Sequence, residues 1–152
     1  MIKLSEFYAT LFYTGKLPRF QASIASLIGS LAYYILIVFN YQKSIIIIAF
    51  IFPLFLGLIA VYYYQKHSRI HDPKEIVLDE FFAAALIPLF FKTNILLCSM
   101  TLIFYRIIDI LKPGILNRID KLNHWTSIFI DDFTAVIIAI GIVWIIHLFI
   151  IV

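Results

Sequence analysis

The sequence predicts an all-α, polytopic membrane protein with four to five membrane-embedded helices and an interfacial helix near its N-terminus. Three observations carry that prediction. First, 63% of the 152 residues are hydrophobic and only 14% are charged, with a mean hydropathy of +1.01. Soluble domains are roughly 45–50% apolar, and a fold this small has no interior large enough for the surplus. Second, the apolar residues gather in runs close to the about 20 residues that a bilayer-crossing helix needs. Third, acids and bases are pushed to the ends of those runs. No repeat, linker or low-complexity tract divides the chain, so residues 1–152 read as a single domain.

Each element follows from local pattern. Leu4, Phe7, Tyr8, Leu11 and Phe12 recur at helical spacing between Lys3, Ser5 and Glu6, as in a short amphipathic helix lying in the interface. Gly15 and Pro18 end it. Ala22 to Val38 is a first span, whose Ser23, Ala25, Ser26, Gly29 and Ser30 suit close helix packing. Asn40 to Lys43 is a turn. Ser44 to Tyr64 is a second span, with Pro53 and Gly57 as candidate kinks and Tyr62, Tyr63 and Tyr64 as an aromatic belt. Gln65 to Glu75 is the most polar stretch. Ile76 to Phe91 reads as a third helix, and Lys92-Thr93-Asn94 turns it into a fourth, Ile95 to Leu111, which Pro113-Gly114 stops. Leu116 to Ile130 is a mixed loop or short helix, and Phe133 to Val152 is the last span. No signal peptide is expected, because the first apolar run follows Lys16 and Arg19 and has no small-residue cleavage site. The single Cys98 can form no intrachain disulfide.

Charge sets the expected orientation. With residues 1–21, 65–80 and 105–132 on one side, ten of the twelve basic residues fall there, and only Lys43 and Lys92 fall opposite. That bias makes the first side cytoplasmic. The net charge of +3 then belongs to cytoplasmic loops and anionic headgroups rather than to nucleic acid, since the aromatic residues sit inside spans and not between bases. All nine acids share the same side, with Asp79, Glu80, Asp109, Asp131 and Asp132 at the ends of three helices.

A carboxylate beside hydrocarbon is costly and marks a functional site by default. If these five converge, they repel one another and call for a cation. A hard divalent ion such as Mg²⁺ takes oxygen ligands and leaves room for water and phosphate. Arg106 and Lys112 flank Asp109 and are suited to pairing with the acids or receiving a phosphate. The same acids read equally well as helix caps and interfacial salt bridges, with Asp131-Asp132 capping the last helix. His67 and His71, four apart, read more simply as solvated loop residues than as ligands. His124 beside Trp125 fits an interfacial aromatic pair as well as a catalytic role, and His147 fits a packed histidine. No nucleophile triad, dinucleotide fingerprint or phosphate loop is present.

Three blocks resemble the phosphatidylglycerophosphatase A family. They are Ile76-Val77-Leu78-Asp79-Glu80, Tyr105-Arg106-Ile107-Ile108-Asp109-Ile110-Leu111-Lys112-Pro113, and Ile130-Asp131-Asp132-Phe133-Thr134-Ala135. In the family they run as I-V-x-D-E, F-R-x-x-D-x-x-K-P and I-M-x-D-D-x-x-A-G. His71-Asp72 ahead of the first block and Asp120 between the second and third also fit. The resemblance implies an Mg²⁺-dependent enzyme that removes the terminal phosphate of phosphatidylglycerophosphate, giving phosphatidylglycerol, on the cytoplasmic side of the bacterial inner membrane. It implies that Asp79, Glu80, Asp109, Asp131 and Asp132 serve the metal and the water or phosphoryl group. Arg106 and Lys112 would serve the phosphate. Rival readings are a phosphatase of another lipid phosphate, and a non-catalytic membrane protein or small transporter with structural acids.

Departures fall on glycines. The family's Pro-Gly-Thr is Gln21-Ala22-Ser23 here, in a block where Gly15, Pro18 and Ser26 remain. Ala83 and Val136 stand where the family has glycine, and His124-Trp125-Thr126 replaces His-Gly-Gly. Lost glycines alter close backbone approach to a phosphate, which bears on substrate choice and rate more than on metal binding.

Overall fold

The computed structural model describes residues 2–68, 73–92, 94–120 and 124–151. Arg69, His71, Asp72 and Lys121 lie outside them, as does the side chain of Asp120. Every described element is helical: α1 (Ile2–Ala9), a short 3₁₀ turn (Thr14–Lys16), α2 (Gln21–Val38), α3 (Lys43–Ser68), α4 (Leu78–Ala85), α5 (Ile87–Phe91), α6 (Ile95–Leu111), α7 (Ile115–Asp120) and α8 (Ser127–Ile151). The all-α expectation holds. Three helices are long and apolar enough to cross a membrane, within residues 21–38, 43–68 and 127–149. Their outward faces stay apolar, with Ile47, Ile48, Phe52 and Phe55 of α3 and Ile137, Trp144 and Phe149 of α8 all exposed. Such a surface belongs in lipid, where it costs nothing to leave uncovered.

Three expectations change. The third helix is not one rod over residues 76–91 but two short helices that meet at Leu86. Pro88 explains the break: its ring disfavours a continuous helix through the preceding turn, while its missing N–H is harmless in the first turn of α5. The N-terminal helix stops at Ala9, before Leu11 and Phe12, which with Tyr13 adopt positive φ. The last helix starts at Ser127 rather than Phe133, which moves Asp131 and Asp132 one turn inside it. They are therefore not its caps.

Pro53 leaves α3 continuous. A proline at this point leaves the Ala49 carbonyl without its helical donor. The Tyr33 hydroxyl of α2 donates to that carbonyl at 2.5 Å, and the Tyr8 hydroxyl of α1 donates to Pro53 O at 3.0 Å. In a lipid setting such side-chain substitutes are what make an interior proline tolerable.

Small residues set the central packing. Ala25, Ser26, Gly29 and Ser30 are all buried on α2, the face the sequence marked. α4 lies directly against it: a Cβ built on Gly29 would sit 2.1 Å from the Phe81 carbonyl oxygen. Gly15 makes the same kind of approach to the segment before α4, with Glu75 O 1.9 Å from an added Cβ. The Val77 N–H donates to Ala9 O, and Gln21 Nε2 donates to Lys74 O at 2.5 Å. Residues 9–21 thus strap the segment that delivers Asp79 and Glu80.

Two larger cores flank that segment. One joins Ala83, Ala84 and Ile87 to Tyr105 of α6 and Ala135, Ala139 and Val143 of α8. The other joins Ala9 and Ala25 to Val61, Ile76, Leu78, Phe82 and Phe129. Lys43 and Lys92, the two bases assigned to the opposite side, line one small cavity together. Lys43 starts α3, roughly 39 Å from the far end of that 26-residue helix.

Candidate active site

The acids arrive on three helices. Asp79 and Glu80 occupy the first turn of α4, Asp109 the last turn of α6, and Asp131 and Asp132 the second turn of α8. Carboxylate oxygens of Asp79, Glu80 and Asp132 lie within 4.8 Å of one another, and so do those of Asp109, Asp131 and Asp132. Asp132 belongs to both groups. The structure therefore brings together all five acids singled out in the sequence. Asp79, Asp131 and Asp132 are buried, at 4%, 5% and 4% exposure.

Such crowding has an electrostatic consequence. Two ionised carboxylates 4.8 Å apart repel by about 3.5 kcal/mol at an effective dielectric of ~20. Two bases compensate in part. Arg106 Nη1 lies 2.8 Å from Asp109 Oδ2, and Lys112 Nζ lies 2.5 Å from Asp131 Oδ2. Five carboxylates less these two cations leave three negative charges if all five are ionised. The donor set is all oxygen, closely spaced and mostly buried, which fits a hard divalent cation.

A cleft of about 250 Å³ opens over the acids. All five carboxylates line it, with Lys112, Ser127 and Ile128. Arg106 is absent from the lining: its guanidinium turns to Asp109 and lies 5.6 Å from the ring centroid of Tyr105. That is the pairing with an acid that the sequence offered beside the phosphate-facing role.

Gln21, Ala22 and Lys74 also line the cleft, and sequence reasoning missed them as site residues. A signal existed for the first two, because Gln21-Ala22-Ser23 replaces the family's Pro-Gly-Thr. In the sequence Lys74 stands out only as one of the basic residues that set the topology. Ser127 Oγ donates to His124 O at 2.7 Å, closing the turn that starts α8.

The other candidates lie apart. His67 lines a separate, largely apolar groove between α1 and α3. His124 Nδ1 is 2.7 Å from Thr126 Oγ1, and its ring lies 5.8 Å from Trp125, the pairing the sequence offered as one of two readings. Cys98 is a buried free thiol.

Fold and site together define a helical membrane protein with a carboxylate-lined cleft and basic side chains at its rim. The chain matches the phosphatidylglycerophosphatase A family over residues 7–147, nearly its whole length, and belongs to that family. No curated protein and no solved structure matches it.

Proposed function

We propose that the protein hydrolyses phosphatidylglycerophosphate to phosphatidylglycerol and inorganic phosphate, with Mg²⁺ in the carboxylate cleft, at the cytoplasmic face of the bacterial inner membrane. Family membership supports the reaction class. The observation that carries the chemistry is the pair of carboxylate groups sharing Asp132 beneath a cleft that also holds Lys112 and Lys74.

Asp79, Glu80, Asp109, Asp131 and Asp132 would hold the ion. When bound, Mg²⁺ supplies neutralisation of phosphate charge and a water of lowered pKa. Lys112, anchored by Asp131, and Lys74 at the rim present positive charge to the terminal phosphate. Arg106 fixes the rotamer of Asp109 rather than touching substrate. Glu80 Oε2 is buried without a hydrogen-bond partner among the described residues and suits a role in taking the proton of the attacking water. The water oxygen joins phosphorus, the bond from phosphorus to the glycerol oxygen breaks, and that oxygen leaves with a proton as the alcohol of phosphatidylglycerol.

The acids lie within the first two turns or the last turn of their helices, where a lipid headgroup can reach them. A transporter would place them nearer mid-helix. Phosphate release from phosphatidylglycerophosphate in detergent micelles decides the matter. Release that depends on Mg²⁺ and stops with chelator is expected. Full release in chelator would remove the metal, and no release under any condition would remove the reaction.

A further inference from the structure

Tyr105 lies on α6, the helix that carries Asp109. It precedes Asp109 by four residues on α6, so the two share a helix face, with Tyr105 one turn deeper. It is fully buried, and its ring belongs to the core formed by α4, α6 and α8. Its hydroxyl has no hydrogen-bond partner among the described residues, and Ala135, three residues after Asp132 on α8, belongs to the same core. A buried hydroxyl left unpaired is costly, and phenylalanine would fill the same space without that cost. Arg106 and Lys112 are already set on Asp109 and Asp131. Asp132 is common to both carboxylate groups.

We propose that Tyr105 is a positioning residue of the ion-loaded site, donating its phenolic hydrogen to the Asp132 carboxylate and fixing the orientation in which that carboxylate meets the ion. The inference rests on reading the cleft as a divalent-cation site. Carboxylates that hold metal ions are themselves held by further donors, and losing such a donor typically costs about 10- to 100-fold in metal affinity. In the ion-free protein the same hydroxyl contributes nothing to stability.

Titration of purified protein with Mn²⁺, followed by calorimetry and by the tyrosine ultraviolet difference spectrum, separates the outcomes. In Tyr105→Phe the dissociation constant for Mn²⁺ should rise on the order of 10-fold, and the ion-induced tyrosine signal should shrink. The ion-free melting temperature should stay the same or increase. Tyr105→Met, also without a donor, should show the same loss of Mn²⁺ affinity and stands in if the first variant does not fold. Equal Mn²⁺ affinity in wild type and variants overturns the role of Tyr105 and leaves the metal site standing. Absence of Mn²⁺ binding in wild type overturns the site, and this inference with it.

Discussion

Lys112 Nζ lies 2.5 Å from Asp131 Oδ2, so the cation that ends α6 is held by an acid one turn into α8. Lys112 caps its helix in a left-handed conformation, with φ 42° and ψ 57°, which turns the side chain from the helix end toward the cleft. The contact joins two of the three acid-bearing helices and puts positive charge where a phosphate would enter.

Removing that charge should move two affinities in opposite directions. Lys112→Ala takes a cation away from both the phosphate and the metal acids. The KM for the lipid should rise by about 5- to 10-fold, the worth of one partly exposed charge-assisted hydrogen bond. The Mg²⁺ concentration for half-maximal rate should fall or stay level, because Asp131 no longer shares its charge with an ammonium. A variant that loses thermal stability alone, with both kinetic constants unchanged, would make Lys112 a helix-end residue and nothing more.

Gly29 gives a second expectation. An added Cβ would meet the Phe81 carbonyl oxygen at 2.1 Å, and that backbone cannot yield without moving α4 and its two acids. Gly29→Val should destabilise the protein by about 1–3 kcal/mol or more, as overpacking does, and turnover should fall with it. Gly141 has nothing within 4 Å of its added Cβ, so Gly141→Ala should be silent in the same melting assay. Equal tolerance of the two substitutions would mean that α2 and α4 are not in this contact.

Orientation is checked by labelling. Ser68 ends α3, at the side assigned to the cytoplasm by ten basic residues against two. In a Cys98→Ser background, a cysteine at Ser68 should react with an impermeant thiol reagent only in inverted vesicles. Reaction in whole cells would reverse the topology and move the cleft to the outer face.

Much of the site was legible in the sequence because charge is scarce in an apolar chain. Asp79, Glu80, Asp109, Asp131 and Asp132 stood out at helix borders, and the structure gathers all five. The small-residue face of α2 was legible for a similar reason, since Ser26, Gly29 and Ser30 have little other use in a span. Other features depend on docking that no local pattern records. Lys74 and Gln21 enter the cleft because residues 9–21 strap the segment before α4. The capping reading of Asp131 and Asp132 stayed open because residues 116–130 read as a mixed loop or short helix, whereas the turn at His124-Trp125-Thr126 starts α8 at Ser127. The break at Leu86 was hidden by the uniform hydrophobicity of residues 81–91, although Pro88 marked it. Arg106 read as a partner of the acids or of a phosphate, and only the family resemblance favoured the phosphate. Its nearest acid, three residues on in the same helix, claims it first.

The central claim is that one ion-dependent site is shared by acids of three helices, and Asp132 is the residue both carboxylate groups have in common. Asparagine there keeps the shape and one oxygen but removes the charge. The decisive measurement is the rate of phosphate release from phosphatidylglycerophosphate at saturating Mg²⁺ for Asp132→Asn, for Asp109→Asn and for the double variant. A shared site predicts that Asp132→Asn loses on the order of 100-fold or more in turnover. The double variant should then be little worse than the poorer single one, because an emptied site has nothing further to lose. Near wild-type turnover in Asp132→Asn, or losses that multiply in the double variant, would contradict the shared site.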